Sequence, residues 1–183
     1  MRSARLILAI VASIGVAACG SSGTSPTPAT LLDDLPGVQS FGDAANPLSR
    51  DHVDTAVSYP QSPPVGGKHS GFWQNCGIYD TPVQNETAVH SLEHGAVWLA
   101  YRPDLSAADV EAVRSFARQH SHVLVSPYEG ITESVVATAW GKQLRLESVS
   151  DPLLAAFVAK YEEGPQSPEL GATCIGGIGE PIE

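Results

Sequence analysis

His90-Ser91-Leu92-Glu93-His94 carries more potential chemistry than any other five residues of this 183-residue chain. On a helix, positions i and i+4 project from one face, so His90 and His94 can hold a single metal ion between two imidazoles, with Glu93 alongside. Four of the six histidines, His52, His69, His90 and His94, fall in the turn-rich central third. His69 lies in Gly66-Gly67-Lys68-His69-Ser70-Gly71, where glycines let backbone and imidazole come close to an ion; it is the third candidate ligand, and His52 a fourth. Neutral imidazoles suit copper or zinc, whereas hard cations prefer carboxylates, which this cluster largely lacks. The only methionine is Met1, which excludes a thioether-rich cuprous site. His120 and His122 stand apart, flanking Ser121 at a helix-to-strand junction, and read as exposed or helix-capping residues.

Other chemistries compete for the same residues. The pentad fits the His-x-x-Glu-His form of inverzincins, in which His90 and His94 would bind zinc, Glu93 would act as general base on bound water, and a distant carboxylate such as Glu169 would complete the shell. Against an enzyme, no serine or cysteine nucleophile sits in a recognisable elbow and no glycine-rich phosphate loop follows a strand. A third reading needs no metal: Phe72, Trp73, Trp98 and Trp140 would serve as core and surface of an envelope interaction module, although such aromatics are more often core.

The N-terminus gives the address. Arg2 and Arg5 precede an apolar run from Leu6 to Val16, too short for a permanent membrane span, so residues 1–18 read as a signal peptide. The run ends in Val16-Ala17-Ala18-Cys19, which resembles the lipobox of bacterial lipoproteins and makes Cys19 the lipid-bearing first residue of the mature chain. The resemblance implies a protein anchored on the extracytoplasmic side of a bacterial membrane. The small, polar, Pro-containing stretch after Cys19 reads as a flexible spacer through residue 34. Residues 35–183 are long enough for one globular domain with a C-terminal tail. Without Arg2 and Arg5, eight basic residues face 20 acidic ones, a net charge near −12, which disfavours nucleic acid and anionic membrane surfaces as partners. Outside the cytoplasm, the two remaining thiols, Cys76 and Cys174, are expected as a disulfide; the competing expectation makes them thiolate ligands.

The elements that must position these residues follow from periodicity and punctuation. Residues 31–50 read as an irregular lead-in, His52 to Tyr59 as a short strand, and Pro60 to Tyr79 as a long ordered loop of the kind that serves a site. A short helix is expected from Asn85, its cap, to a stop at Gly95, followed by a buried strand from Ala96 to Tyr101. Ser106-Ala107-Ala108-Asp109 starts a second helix running to about Gln119, with Leu105 stapled onto Val110. Strands are expected at Val123–Val125, Val135–Trp140 and Gln143–Leu146, the last two joined at Gly141-Lys142. A last helix opens at Asp151-Pro152 with a stripe of Leu153, Leu154, Phe157, Val158 and Tyr161. This order argues for an α+β fold: a single two-layer domain in which two main helices cover one face of a small, mostly antiparallel sheet.

Pro63-Pro64-x-x-Gly67-x-His69, Gly77-x-Tyr79, His90-Ser91-Leu92-Glu93-His94-Gly95-Ala96-Val97-Trp98 and Ala139-Trp140-Gly141 form one pattern. Over roughly His52 to Cys174 the chain resembles the domain-of-unknown-function family 3105. The resemblance implies a common fold and an extracytoplasmic setting and lends no reaction. The residues themselves point first to a lipid-tethered protein that binds copper or zinc through His69, His90 and His94, with His52, and serves in metal trafficking or buffering.

Overall fold

Val97-Trp98-Leu99-Ala100-Tyr101 is apolar at every position, as a strand covered on both faces must be, and it forms β3 (Val97–Tyr101) near the middle of a six-stranded sheet. The protein is seen here as a computed structural model that describes residues 34–183, one compact unit. The expected leader at 1–18, Cys19 and all but the last residue, Asp34, of the expected spacer through residue 34 lie outside the described residues.

The remaining elements are β1 (Gln39–Ser40), β2 (Gly77–Ile78), α1 (Asn85–Glu93), α2 (Ala107–Ala117), β4 (Val123–Pro127), β5 (Val135–Ala139), β6 (Lys142–Leu146) and α3 (Pro152–Tyr161). Across the sheet the strands run β1-β6-β5-β3-β4-β2. β4 pairs in parallel with both β3 and β2, whereas β3 with β5, β5 with β6, and β6 with β1 are antiparallel.

Alternation along the strands divides the interior into two clusters. Val97, Leu99, Tyr101, Val123 and Val125 point to one side, where they meet Val113 and Ala117 of α2 and Leu154, Phe157, Val158 and Tyr161 of α3. Trp98, Ala100 and Leu124 point to the other side and meet Ala88, Val89 and Leu92 of α1. The expected two-layer, mostly antiparallel arrangement is therefore overturned. The sheet is mixed, because the α2 crossover returns the chain parallel to β3, and a third helix closes the second face.

Helix ends follow local chemistry. Ser106 caps α2 by accepting a hydrogen bond from the Asp109 amide, and Asp151 caps α3 by accepting one from Leu153, with Pro152 in the first turn. Asn85 does not cap α1: the cap position is Gln84, and no side chain bonds there. His52 to Tyr59 is not a strand; its one ladder-like contact is a parallel bridge between His52 and His69. Conversely, Gln39 and Ser40 add a short edge strand to a stretch expected to be irregular.

Candidate metal centre

α1 is buried from Thr87 to Glu93 along its whole circumference, because the sheet covers one side and irregular chain covers the other. It ends in a Schellman turn: the amides of Gly95 and Ala96 donate to the carbonyls of Leu92 and Ser91, with Gly95 at φ +101°. That stop leaves His94 on the last turn, directly above His90. Their rings meet edge to face at 4.6 Å between centroids.

The glycine-rich loop is tied to α1 through backbone bonds. The amides of Ser70 and Gln74 donate to the carbonyls of Glu86 and Thr87, and the Ser91 hydroxyl donates to the Gln74 carbonyl. Two further bonds, Val53 amide to His69 carbonyl and His69 amide to Asp51 carbonyl, place His52 beside His69. From the other side, the Glu169 amide donates to the Glu93 carbonyl and brings the C-terminal segment over the end of α1.

These attachments set the imidazole tautomers. Nδ1 of His69 lies 2.8 Å from the Gly67 carbonyl, Nδ1 of His90 2.7 Å from the Ser70 carbonyl, and Nδ1 of His94 2.7 Å from the Thr173 carbonyl. A carbonyl can only accept, so each Nδ1 carries the proton, and in the neutral ring Nε2 keeps its lone pair. The same device orients imidazoles in metal sites. Gly67, at φ +107°, supplies a carbonyl direction that a residue with a side chain rarely adopts. Burial pushes the pKa of His90 down, and the neighbouring His94, His69 and His52 push it further, against the bond to Ser70; the neutral, ligating form is thereby favoured.

The Nε2 atoms face carboxylates. His69 is fully buried and Glu93 nearly so, and Oε2 of Glu93 lies 2.8 Å from His69 Nε2. Yet that Nε2 has no hydrogen-bond partner among the described residues. With one ring proton committed to Gly67, a neutral His69 sets a lone pair against the carboxylate, an arrangement that either a second ring proton or a metal ion bound by both groups satisfies. His52, half-exposed, stacks on His90 at 4.8 Å between centroids. Donor atoms of His52, His69, His90 and Glu93 all lie within 4.8 Å of one another, as do those of His90, His94 and Glu169. A tetrahedral zinc site needs donors about 3.4 Å apart, and a square-planar copper site neighbouring donors closer still, so small side-chain rotations separate these groups from coordination geometry.

Arg50 spans the two carboxylates. Its Nε donates to Oε1 of Glu93, and an Nη donates to Oε1 of Glu169 at 3.1 Å. Glu93 and Glu169 in turn raise the pKa of the guanidinium, so Arg50 is a permanent cation at the mouth of the site. Trp73 packs against His94 at 4.9 Å and Trp140 against His69 at 5.8 Å, which walls two sides with indole.

All four histidines expected as ligands are thus brought together. Cys76 and Cys174, 98 positions apart in sequence, are joined to each other, with Cα atoms 5.4 Å apart; they contribute no thiolate. The bond fastens the segment beside Thr173, whose carbonyl orients His94. His120 and His122 lie elsewhere: Nδ1 of His120 is 2.6 Å from Oε2 of Glu162, and the His122 amide donates to the same carboxylate. Arg50 and the three orienting carbonyls were not among the candidates, and Glu169 entered only as the distant carboxylate of the hydrolytic reading. A backbone carbonyl leaves no trace in residue type, and a lone arginine in an irregular segment is indistinguishable from a solvated one.

Fold and site define a mixed-sheet domain whose histidine and glutamate groups could hold a metal ion. The chain belongs to the family described as protein of unknown function (DUF3105), which matches residues 52–176. That span contains the four histidines, both carboxylates and both cysteines, and begins just after Arg50. No curated protein and no solved structure matches the chain.

Proposed function

We propose that this domain binds a copper or zinc ion through His69 and His90, assisted by His52 and Glu93, and serves to traffic or buffer that metal. It does so outside the cytoplasm, lipid-anchored through Cys19 after removal of residues 1–18. The observation that carries the reading is the fully buried Nε2 of His69, which has no hydrogen-bond donor and lies 2.8 Å from Oε2 of Glu93, beside His90 and His94, whose Nδ1 protons, like its own, are turned outward to carbonyls. Imidazole donors with a single adjacent carboxylate suit divalent copper or zinc. The cleavable-leader pattern and the lipobox-like Val16-Ala17-Ala18-Cys19 support the address, and so does a disulfide, which persists in oxidising compartments.

Glu93 serves better as a ligand than as a general base. One oxygen is held by Arg50, the other lies against His69, and the side chain is 1% exposed, which leaves no oxygen directed at a water in an open coordination position.

Metal analysis of natively exported protein, followed by titration of the metal-free protein with Cu(II) and Zn(II), tests the proposal. One ion per chain is expected, and His69→Gln or His90→Gln should weaken binding by about 100-fold or more, roughly 2.7 kcal/mol. Failure to bind either metal stoichiometrically, or affinity unchanged in both variants, would overturn it.

A further inference from the structure

The two donor groups share a residue, and its chemistry restricts how they can be filled. His90 belongs both to the group with His52, His69 and Glu93 and to the group with His94 and Glu169. Its Nδ1 carries the proton donated to Ser70 at 2.7 Å, so Nε2 is its one available lone pair, and one lone pair binds one ion. The groups therefore cannot both be occupied through His90.

We infer that they are two stations for a single ion, an outer one at His94 and Glu169 and an inner one at His69 and Glu93, with His90 as the ligand retained in both. This rests on the metal-binding reading above.

The exposure of the two carboxylates and the number of donors give the exchange its direction. His52 is half-exposed, so each group has one donor facing solvent; what differs is the carboxylate, since the Glu169 side chain is 41% exposed and Glu93 only 1%, so an arriving cation meets the Glu169 charge before that of Glu93. Each station offers one carboxylate besides His90, but the inner one offers two imidazoles, His52 and His69, and the outer one only His94; the move therefore keeps net charge and oxidation state and gains a donor, which makes the inner station the resting place. Glu93–metal, His69–metal and His52–metal bonds form as Glu169–metal and His94–metal bonds break. Arg50 already touches both carboxylates; when the ion moves inward and takes Glu93, the guanidinium is left to Glu169, and neither acid loses its cation. The backbone of Glu169 is held over the end of α1 by its amide bond to Glu93, and the His94 ring by Thr173 beside the disulfide.

The test uses the mature protein with Cu(II) as probe, combining equilibrium titration with stopped-flow measurement of loading and of removal by a chelator. Glu169→Gln changes an exposed residue and should fold; near-UV circular dichroism checks it and His94→Gln. Wild type should bind one copper per chain. Both outer variants should keep equilibrium affinity within about threefold, while loading and removal slow by about tenfold or more. His69→Gln should retain a copper held about 100-fold more weakly, with an altered electron paramagnetic resonance spectrum from the outer donors. Two coppers per chain in wild type, outer variants that lose as much affinity as His69→Gln, or outer variants unchanged in both affinity and rate would each overturn the two-station inference while leaving metal binding intact. Absence of copper binding in wild type would instead overturn the metal-binding reading beneath it.

Discussion

The two faces of the sheet are closed by different physics. On the α2 and α3 face, Val113, Ala117, Leu154, Phe157 and Val158 meet alternate residues of β3, β4, β5 and β6, and burial of apolar area supplies the cohesion. On the α1 face, the inward side of the helix packs on Trp98 and Leu124, but its outer side buries His90, Ser91, Glu93 and His94 under irregular chain. There each polar group is placed by a specific bond, most often to a backbone carbonyl. The first face tolerates any apolar side chain of suitable volume; the second depends on where individual lone pairs point. Substitutions on the first should therefore change stability without touching the site, whereas substitutions on the second should change metal binding whatever they do to stability.

The largest effect on stability is expected from Phe157→Ala. Phe157 is fully buried between α3 and the sheet, and its truncation should cost about 3–5 kcal/mol in urea unfolding. Metal affinity per folded molecule should be unchanged; a fall in that affinity would break the separation of the faces. Arg50→Gln comes next. It removes the cation from a nearly fully buried Glu93, which should destabilise the metal-free protein by about 1–3 kcal/mol. Because an ion can then neutralise Glu93 without displacing a guanidinium, the rise in melting temperature on adding Cu(II) should exceed that of the wild type. An equal or smaller rise would mean that Glu93 is not a ligand.

The smallest effect concerns Asp34, which fastens the α2 and α3 face at its edge. Hydrogen bonds from Lys142, Ser40 and Tyr161 hold its carboxyl well below the ordinary value of 3.8. Since the folded value is the lower one, the contribution is fully present above the ordinary value and is lost as pH falls through the folded one. With a third of the side chain exposed, Asp34→Asn should cost below about 1 kcal/mol at pH 7. Urea midpoints should show a smaller stability loss between pH 5 and pH 2 in the variant than in the wild type, and no change in metal binding at neutral pH.

Where a property depends on neighbours in sequence, reading the chain was mostly enough, the cap expected at Asn85 being an exception. The helix ending at Gly95, the Ser106 and Asp151 caps, and the strands at Val97, Val123 and Val135 all follow from signals within a turn or two. So does the i, i+4 placement of His90 and His94, which needs only helical geometry. His69 was accessible as well, through its glycine-rich loop. The layering was not: the stripes of α2 and α3 announce apolar faces without saying which side of the sheet receives α1, and strand spacing does not reveal that β4 runs parallel to β3 and β2. His52 to Tyr59 alternates like a strand, yet it finds a single bridge to His69 in place of a ladder.

Residue types and local spacing thus determined that imidazoles would gather near α1 and that Cys76 and Cys174 would be free to meet. Tertiary structure alone decided which atom of each imidazole is presented. The carbonyls of Gly67, Ser70 and Thr173 that hold the Nδ1 protons belong to backbone, which every sequence has in equal measure. Arg50 reaches Glu93 across 43 positions and Glu169 across 119, distances over which only the folded chain selects partners. A ligand's identity is written in its side chain, whereas the direction of its lone pair is set by whatever the fold packs behind it.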